Sequence, residues 1–144
     1  MAKISSAEWE VMRVLWTKGE ATSTEITKIL STKQDWSAST VKTLLGRLAD
    51  KGYLTSRREG RTYLYQAILN EEEANFTAVN EVLSKICLTK HHHLLGKLIQ
   101  QTPMTKEQIK YLQEILASKE SVEQVQCDCQ PGQCHCVSHV EEIK

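Results

Sequence analysis

Two capping boxes, Ser5-Ser-Ala-Glu8 and Thr22-Ser-Thr-Glu25, fix two helix starts near the N-terminus and so confine this half of the chain to short, closely spaced helices. In each box the hydroxyl takes an early helical N–H and the glutamate reaches back to the cap. Val11, Met12, Leu15 and Trp16 recur at helical spacing before Lys18-Gly19, which predicts a first helix over about residues 6–17. Ile26, Ile29 and Leu30 give a second, short helix its core face. Val41, Leu44, Leu45 and Leu48 form the apolar stripe of a third, capped by Ser37 or Ser39 and closed by Gly52 at C′. From Tyr53 to Tyr65 two β-favouring runs flank Glu59-Gly60, a hairpin signature with Arg57, Arg58 and Arg61 at its tip. Three helices followed by a basic hairpin predict a winged helix-turn-helix, mainly α with a small β-hairpin wing.

In that fold the third helix enters the major groove of DNA. Its face opposite the apolar stripe shows Ser39, Thr40, Lys42, Thr43, Gly46 and Arg47. Lys42 and Arg47 suit guanine edges or phosphates, and Thr43 suits a hydrogen bond or a thymine methyl. Arg58 and Arg61 are expected on phosphates or in the minor groove, although arginines on an exposed hairpin also guard its edge against aggregation. Residues 1–66 carry 11 Lys/Arg against 7 Asp/Glu, and residues 67–144 carry 7 against 11, so a basic half adjoins an acidic one. Trp9, Trp16 and Trp36 are read as packing residues.

Beyond the hairpin, Asn70-Glu-Glu-Glu73 starts a long helix with acids at its positive end. Phe76, Val79, Leu83, Ile86 and Cys87 are expected along one side of it. Leu94, Leu95, Leu98 and Ile99 mark another helix, and Thr105 caps a last one with Ile109, Leu112, Ile115 and Leu116. Three one-sided helices are too few for a second core, so they predict a homodimer that presents two reading helices to a palindromic site. The organisation expected is a DNA-binding domain over 1–69, a helical dimerisation region over 70–118 and a cysteine-rich tail over 119–144.

That tail holds Cys127, Cys129, Cys134 and Cys136 as two Cys-x-Cys pairs. Residues i and i+2 of an extended backbone turn two thiolates toward one ion, and Pro131-Gly132 supplies a turn that folds the second pair over the first. Thiolate favours Cu(I) and Zn(II) over hard ions, so these two are the expected metals. The competing chemistry is disulfide or redox. Against it, Met1-Ala-Lys-Ile-Ser-Ser has no apolar signal region and no run is long enough to span a bilayer, which predicts a cytoplasmic chain without a membrane partner, where thiols stay reduced. The spacing also differs from a Cys-x-x-Cys redox centre. Cys87 reads as a small buried hydrophobe on a helical stripe. His91-His-His93 reads as polar helix surface, because consecutive histidines point about 100° apart. His135 and His139 lie beside the thiolates, either as supporting groups or as exposed tail residues. No nucleophile–base constellation or phosphate loop argues for an enzyme.

Ser39-Thr-Val-Lys-Thr-Leu-Leu-Gly-Arg-Leu-Ala-Asp-Lys-Gly52 with Glu59-Gly-Arg-Thr-Tyr-Leu-Tyr65 resembles the recognition helix and wing of the penicillinase-repressor (BlaI/MecI) family, from about Ser5 to Ala117. The terminal Cys-x-Cys-x4-Cys-x-Cys resembles its copper-responsive CopY branch. The resemblance implies a dimeric repressor of copper-homeostasis genes, among them copper-exporting ATPases, on a TACA/TGTA pseudo-palindrome, released when Cu(I) replaces Zn(II). A copper chaperone is then the expected donor of Cu(I). Two other readings stand beside it: a β-lactam-responsive repressor of the same family, and a metallothionein-like metal buffer. The β-lactam branch carries an Asn-Phe cleavage site before its last helix, where this chain reads Lys97-Leu-Ile-Gln-Gln-Thr-Pro103, and it lacks the cysteine tail.

Overall fold

A computed structural model describes residues 2–136. The chain divides into two compact units, Met1–Thr77 and Ala78–Lys144, taken here in turn.

In the first unit α1 (Ser6–Lys18), β1 (Glu20–Thr22), α2 (Ser23–Ser31), α3 (Ala38–Asp50), β2 (Leu54–Glu59) and β3 (Thr62–Ala67) follow in order. Local chemistry sets the boundaries. Ser5 Oγ accepts the Glu8 N–H, Thr22 and Glu25 complete a reciprocal capping box, and Ser37, not Ser39, caps α3 through the Thr40 N–H. At the far end of α3 the Tyr53 N–H reaches Leu48 O and the Gly52 N–H reaches Ala49 O, a Schellman closure that turns the chain into β2. Val11, Met12, Leu15, Ile26, Val41, Leu45 and Leu48 are fully buried, so the three stripes read from the sequence meet in one core. Ile29 is the exception: it is exposed on the flank of α2, and Val14 of α1 is buried instead.

β2 and β3 form the hairpin, closed by Gly60-Arg61 between the paired Glu59 and Thr62. Gly60 has φ 63°, the left-handed value that the first central residue of a type II′ turn requires. The sheet has a third member. β1 pairs with β3, Glu20 opposite Gln66 and Thr22 opposite Leu64, giving the order β1-β3-β2. The Trp16 indole N–H donates to Leu69 O at 2.8 Å and fastens the segment leaving the sheet to α1.

α4 (Glu71–Leu83) starts as expected, with Asn70 Oδ1 taking the Glu73 N–H. It stops four residues before Cys87, because the Lys85 and Ile86 N–H groups tighten onto Val82 O and Leu83 O. In the second unit a 3₁₀ turn (Leu88–Lys90) leads into α5 (His91–Gln101), and Thr105 with Gln108 makes the capping box that opens α6 (Lys106–Ser118). No residue of α5 or α6 is buried, and Leu98, Ile109 and Leu116 are among their exposed apolar side chains. No described helix is long and apolar enough to cross a membrane.

Candidate metal centre and nucleic-acid interface

Where α4 gives way to α5, the backbone is fixed by a side chain. His91 Nε2 lies 2.9 Å from both Leu83 O and Ile86 O, bracketing Cys87, while the Lys90 N–H closes onto Cys87 O at 2.9 Å. Cys87 therefore sits on a locked turn, 6% exposed, and not on the stripe of a helix as its spacing suggested. The tail comes to it. Cys87 Sγ is 3.3 Å from Cys127 Sγ and 3.6 Å from Cys136 Sγ, and Cys127 Sγ is 3.2 Å from Cys134 Sγ. Pro131-Gly132 makes the expected turn: the Gln133 N–H reaches Gln130 O at 3.0 Å, and Gly132 at φ 94° supplies the left-handed third residue of a type II turn.

The sulfurs of Cys87, Cys127, Cys129 and Cys134 all lie within 4.8 Å of one another. Three of the four tail cysteines are thus brought together, and Cys136 stands at the edge against Cys87 and Thr89. A tetrahedral zinc with Zn–S of about 2.3 Å has S···S edges of about 3.8 Å, so the group fits such an ion once its short edges open by about half an ångström. The thiols differ in acidity. The Thr89 hydroxyl, 3.0 Å away, and its N–H hold Cys87 down to about 6. Burial pushes Cys129 up to about 11 and raises Cys127 as well, while the Cys136 N–H lowers Cys134. No histidine joins the group among the described residues: His91 is held by carbonyls, His92, His93 and His135 are exposed, and His139 lies outside the described residues.

In the first unit, Ser39, Thr40, Lys42, Thr43 and Arg47 all fall on the exposed face of α3. Their hydroxyls are not equal. Ser39 and Thr40 lie 3.1 Å from the Ser37 cap hydroxyl, and the exposed Thr43 donates to Ser39 O at 2.9 Å. Lys42 and Arg47 have no ion-pair partner among the described residues. On the wing, Arg58 is exposed and hydrogen-bonds Gly60 O, and Arg61 is exposed at the turn itself. Arg57 is exposed too, but its guanidinium is paired with Glu20 at 2.9 Å and Glu59 at 3.4 Å.

A reading helix with a free polar face, backed by two helices and flanked by a basic wing, defines a winged-helix DNA-binding protein. A family model described as the penicillinase repressor matches residues 4–118, and the chain belongs to that family of transcriptional repressors. An uncharacterised 16.5 kDa protein of Latilactobacillus sakei is 40% identical over 93% of each chain. The penicillinase repressor of Bacillus licheniformis is 30% identical over 79% of this chain and 89% of its own. A solved structure described as the CopR repressor is 43% identical over 48% of this chain and all of that one, with a TM-score of 0.41.

Proposed function

We propose that this repressor responds to copper: as a homodimer it holds a palindromic operator of copper-homeostasis genes, and it lets go when its thiols exchange Zn(II) for Cu(I). The observation that carries this reading is the convergence of tail sulfurs in a chain that also bears a DNA-reading helix. The donor set supports it, since only soft or borderline ions take an all-sulfur site. Either metal would offset the negative charge of the thiolates that bind it. The remaining work falls to the chain. Lys42 and Thr43 read base edges, Arg47, Arg58 and Arg61 hold phosphates, and Ser39 and Thr40 shape the helix start that approaches the backbone. The exposed apolar faces of α4, α5 and α6, with Phe76 at 68% and Leu116 at 65% exposure, support a second copy as their cover.

The test is fluorescence anisotropy of a labelled TACA/TGTA palindrome with the zinc-loaded protein, titrated with Cu(I) without oxygen. The parent is expected to bind and then release, and the variant with Cys127, Cys129, Cys134 and Cys136 replaced by serine to bind and stay. Release of that variant by copper at the parent's midpoint would place the sensor elsewhere.

A further inference from the structure

We infer that Cys87 is a metal ligand and Cys136 the standby thiol: zinc is held by Cys87, Cys127, Cys129 and Cys134, and the fifth sulfur waits beside the site. This deepens the copper reading and rests on it. Five cysteine sulfurs gather here, whereas a closed zinc site takes four. One must be left over, and the geometry says which. Cys87, Cys127, Cys129 and Cys134 are mutually within 4.8 Å, a set that can close around one ion. Cys136 Sγ touches the rim, 3.6 Å from Cys87 Sγ and 3.4 Å from Thr89 Oγ1.

Cys87 is also the best-prepared member. It is the most buried of the five, its turn is bracketed by His91, and the Thr89 hydroxyl is aimed at its sulfur. Its three partners lie on a segment of bends and turns that must find a fixed point before it can order. A pre-positioned thiol supplies that point, and it lies between α4 and α5 and not on the tail. A metal bound this way joins the tail to the helical region directly, a connection that four tail cysteines alone would not make. Cys136 gives an incoming soft ion a sulfur to meet before any resident bond is broken, the arrangement an associative exchange of metals needs.

The experiment measures zinc affinity by chelator competition, and Co(II) thiolate charge-transfer absorption, on the full chain and its C87S, C87A, C136S and C87S/C136S variants. Replacing a supporting residue around a metal commonly costs 10–100-fold in affinity, so loss of Cys87 is expected to cost about 10-fold or more in C87S and C87A, where Cys136 must move in, and about 100-fold or more in C87S/C136S. C136S is expected to keep the parent's four-thiolate cobalt spectrum and an affinity within about threefold, well below that range. C136S leaves Cys87 in place and keeps the inference testable even where a Cys87 variant folds poorly: a spectrum with one thiolate fewer overturns it. So does a folded C87S with the parent's affinity. If the parent takes up metal while C87S is unchanged, only the Cys87 assignment falls. If the parent takes up neither zinc nor cobalt, the copper reading itself fails.

Discussion

Glu8 shows how much one side chain of the first unit carries. It lies in the opening turn of α1, 3% exposed, and Lys51 Nζ at the end of α3 binds both its oxygens at 2.6 and 2.9 Å. Burial alone would raise the pKa of this carboxyl; the Lys51 ammonium and Ser5 outweigh it and hold the group below the ordinary 4.5. A lowered folded-state pKa means that the unfolded chain binds the proton first. The contribution is therefore fully present above about pH 4.5 and fades as pH falls through the lower, folded value. Glu8→Gln should destabilise the protein by about 2 kcal/mol at neutral pH, read by urea denaturation, with the gap to the parent closing in acid. An equal gap at neutral and acid pH would mean the loss is packing and not charge. The sequence showed Glu8 only as the return arm of a capping box. Its partner lies 43 residues away, beyond the reach of a local pattern.

At the scale of elements, the three helices of the first unit were legible because each has its own cap and a stripe at helical spacing, and the hairpin because Gly60 marks its turn. β1 was not. Glu20-Ala-Thr22 is too short to alternate, and becomes a strand only by pairing with residues more than forty positions on. Cys87 was misplaced for the opposite reason: the apolar spacing runs on through Ile86 while the backbone has already left the helix at Leu83. The interface divides by element too. Lys42→Ala and Thr43→Ala on α3 should each cost about 1–3 kcal/mol on the operator and less on scrambled DNA in a gel shift. Arg58→Ala or Arg61→Ala on the wing should weaken both DNAs alike and flatten the salt dependence by about one counterion each. Arg57→Ala should leave that slope close to the parent's, since Glu20 and Glu59 already engage its guanidinium. A slope unchanged by Arg58 and Arg61 would take the wing out of the interface.

For the whole molecule, no residue of α5 or α6 is fully buried within one chain, so association should follow from them and not from metal. With all five cysteines replaced by serine the protein is expected to sediment as a dimer; a monomer would make the thiol cluster the staple that holds two copies together. The convergence of the tail cysteines was legible from their spacing, but the fifth sulfur beside them was not, because nothing between Cys87 and Cys127 announces that the chain returns. The tryptophans all lie in one of the two units. Trp9 and Trp16 meet edge to face at 5.6 Å, Trp16 also donates to Leu69 O, and with Trp36 they all belong to residues 1–77. The unit holding the thiols has no indole of its own. Tryptophan emission, excited apart from tyrosine, thus reports from the unit without the thiols, and Zn(II), a d¹⁰ ion without redox chemistry, adds no colour of its own. If metal uptake by the tail is felt in the unit that reads DNA, a shift of tryptophan wavelength on adding zinc is the expected outcome, recorded by indoles that lie in that unit alone.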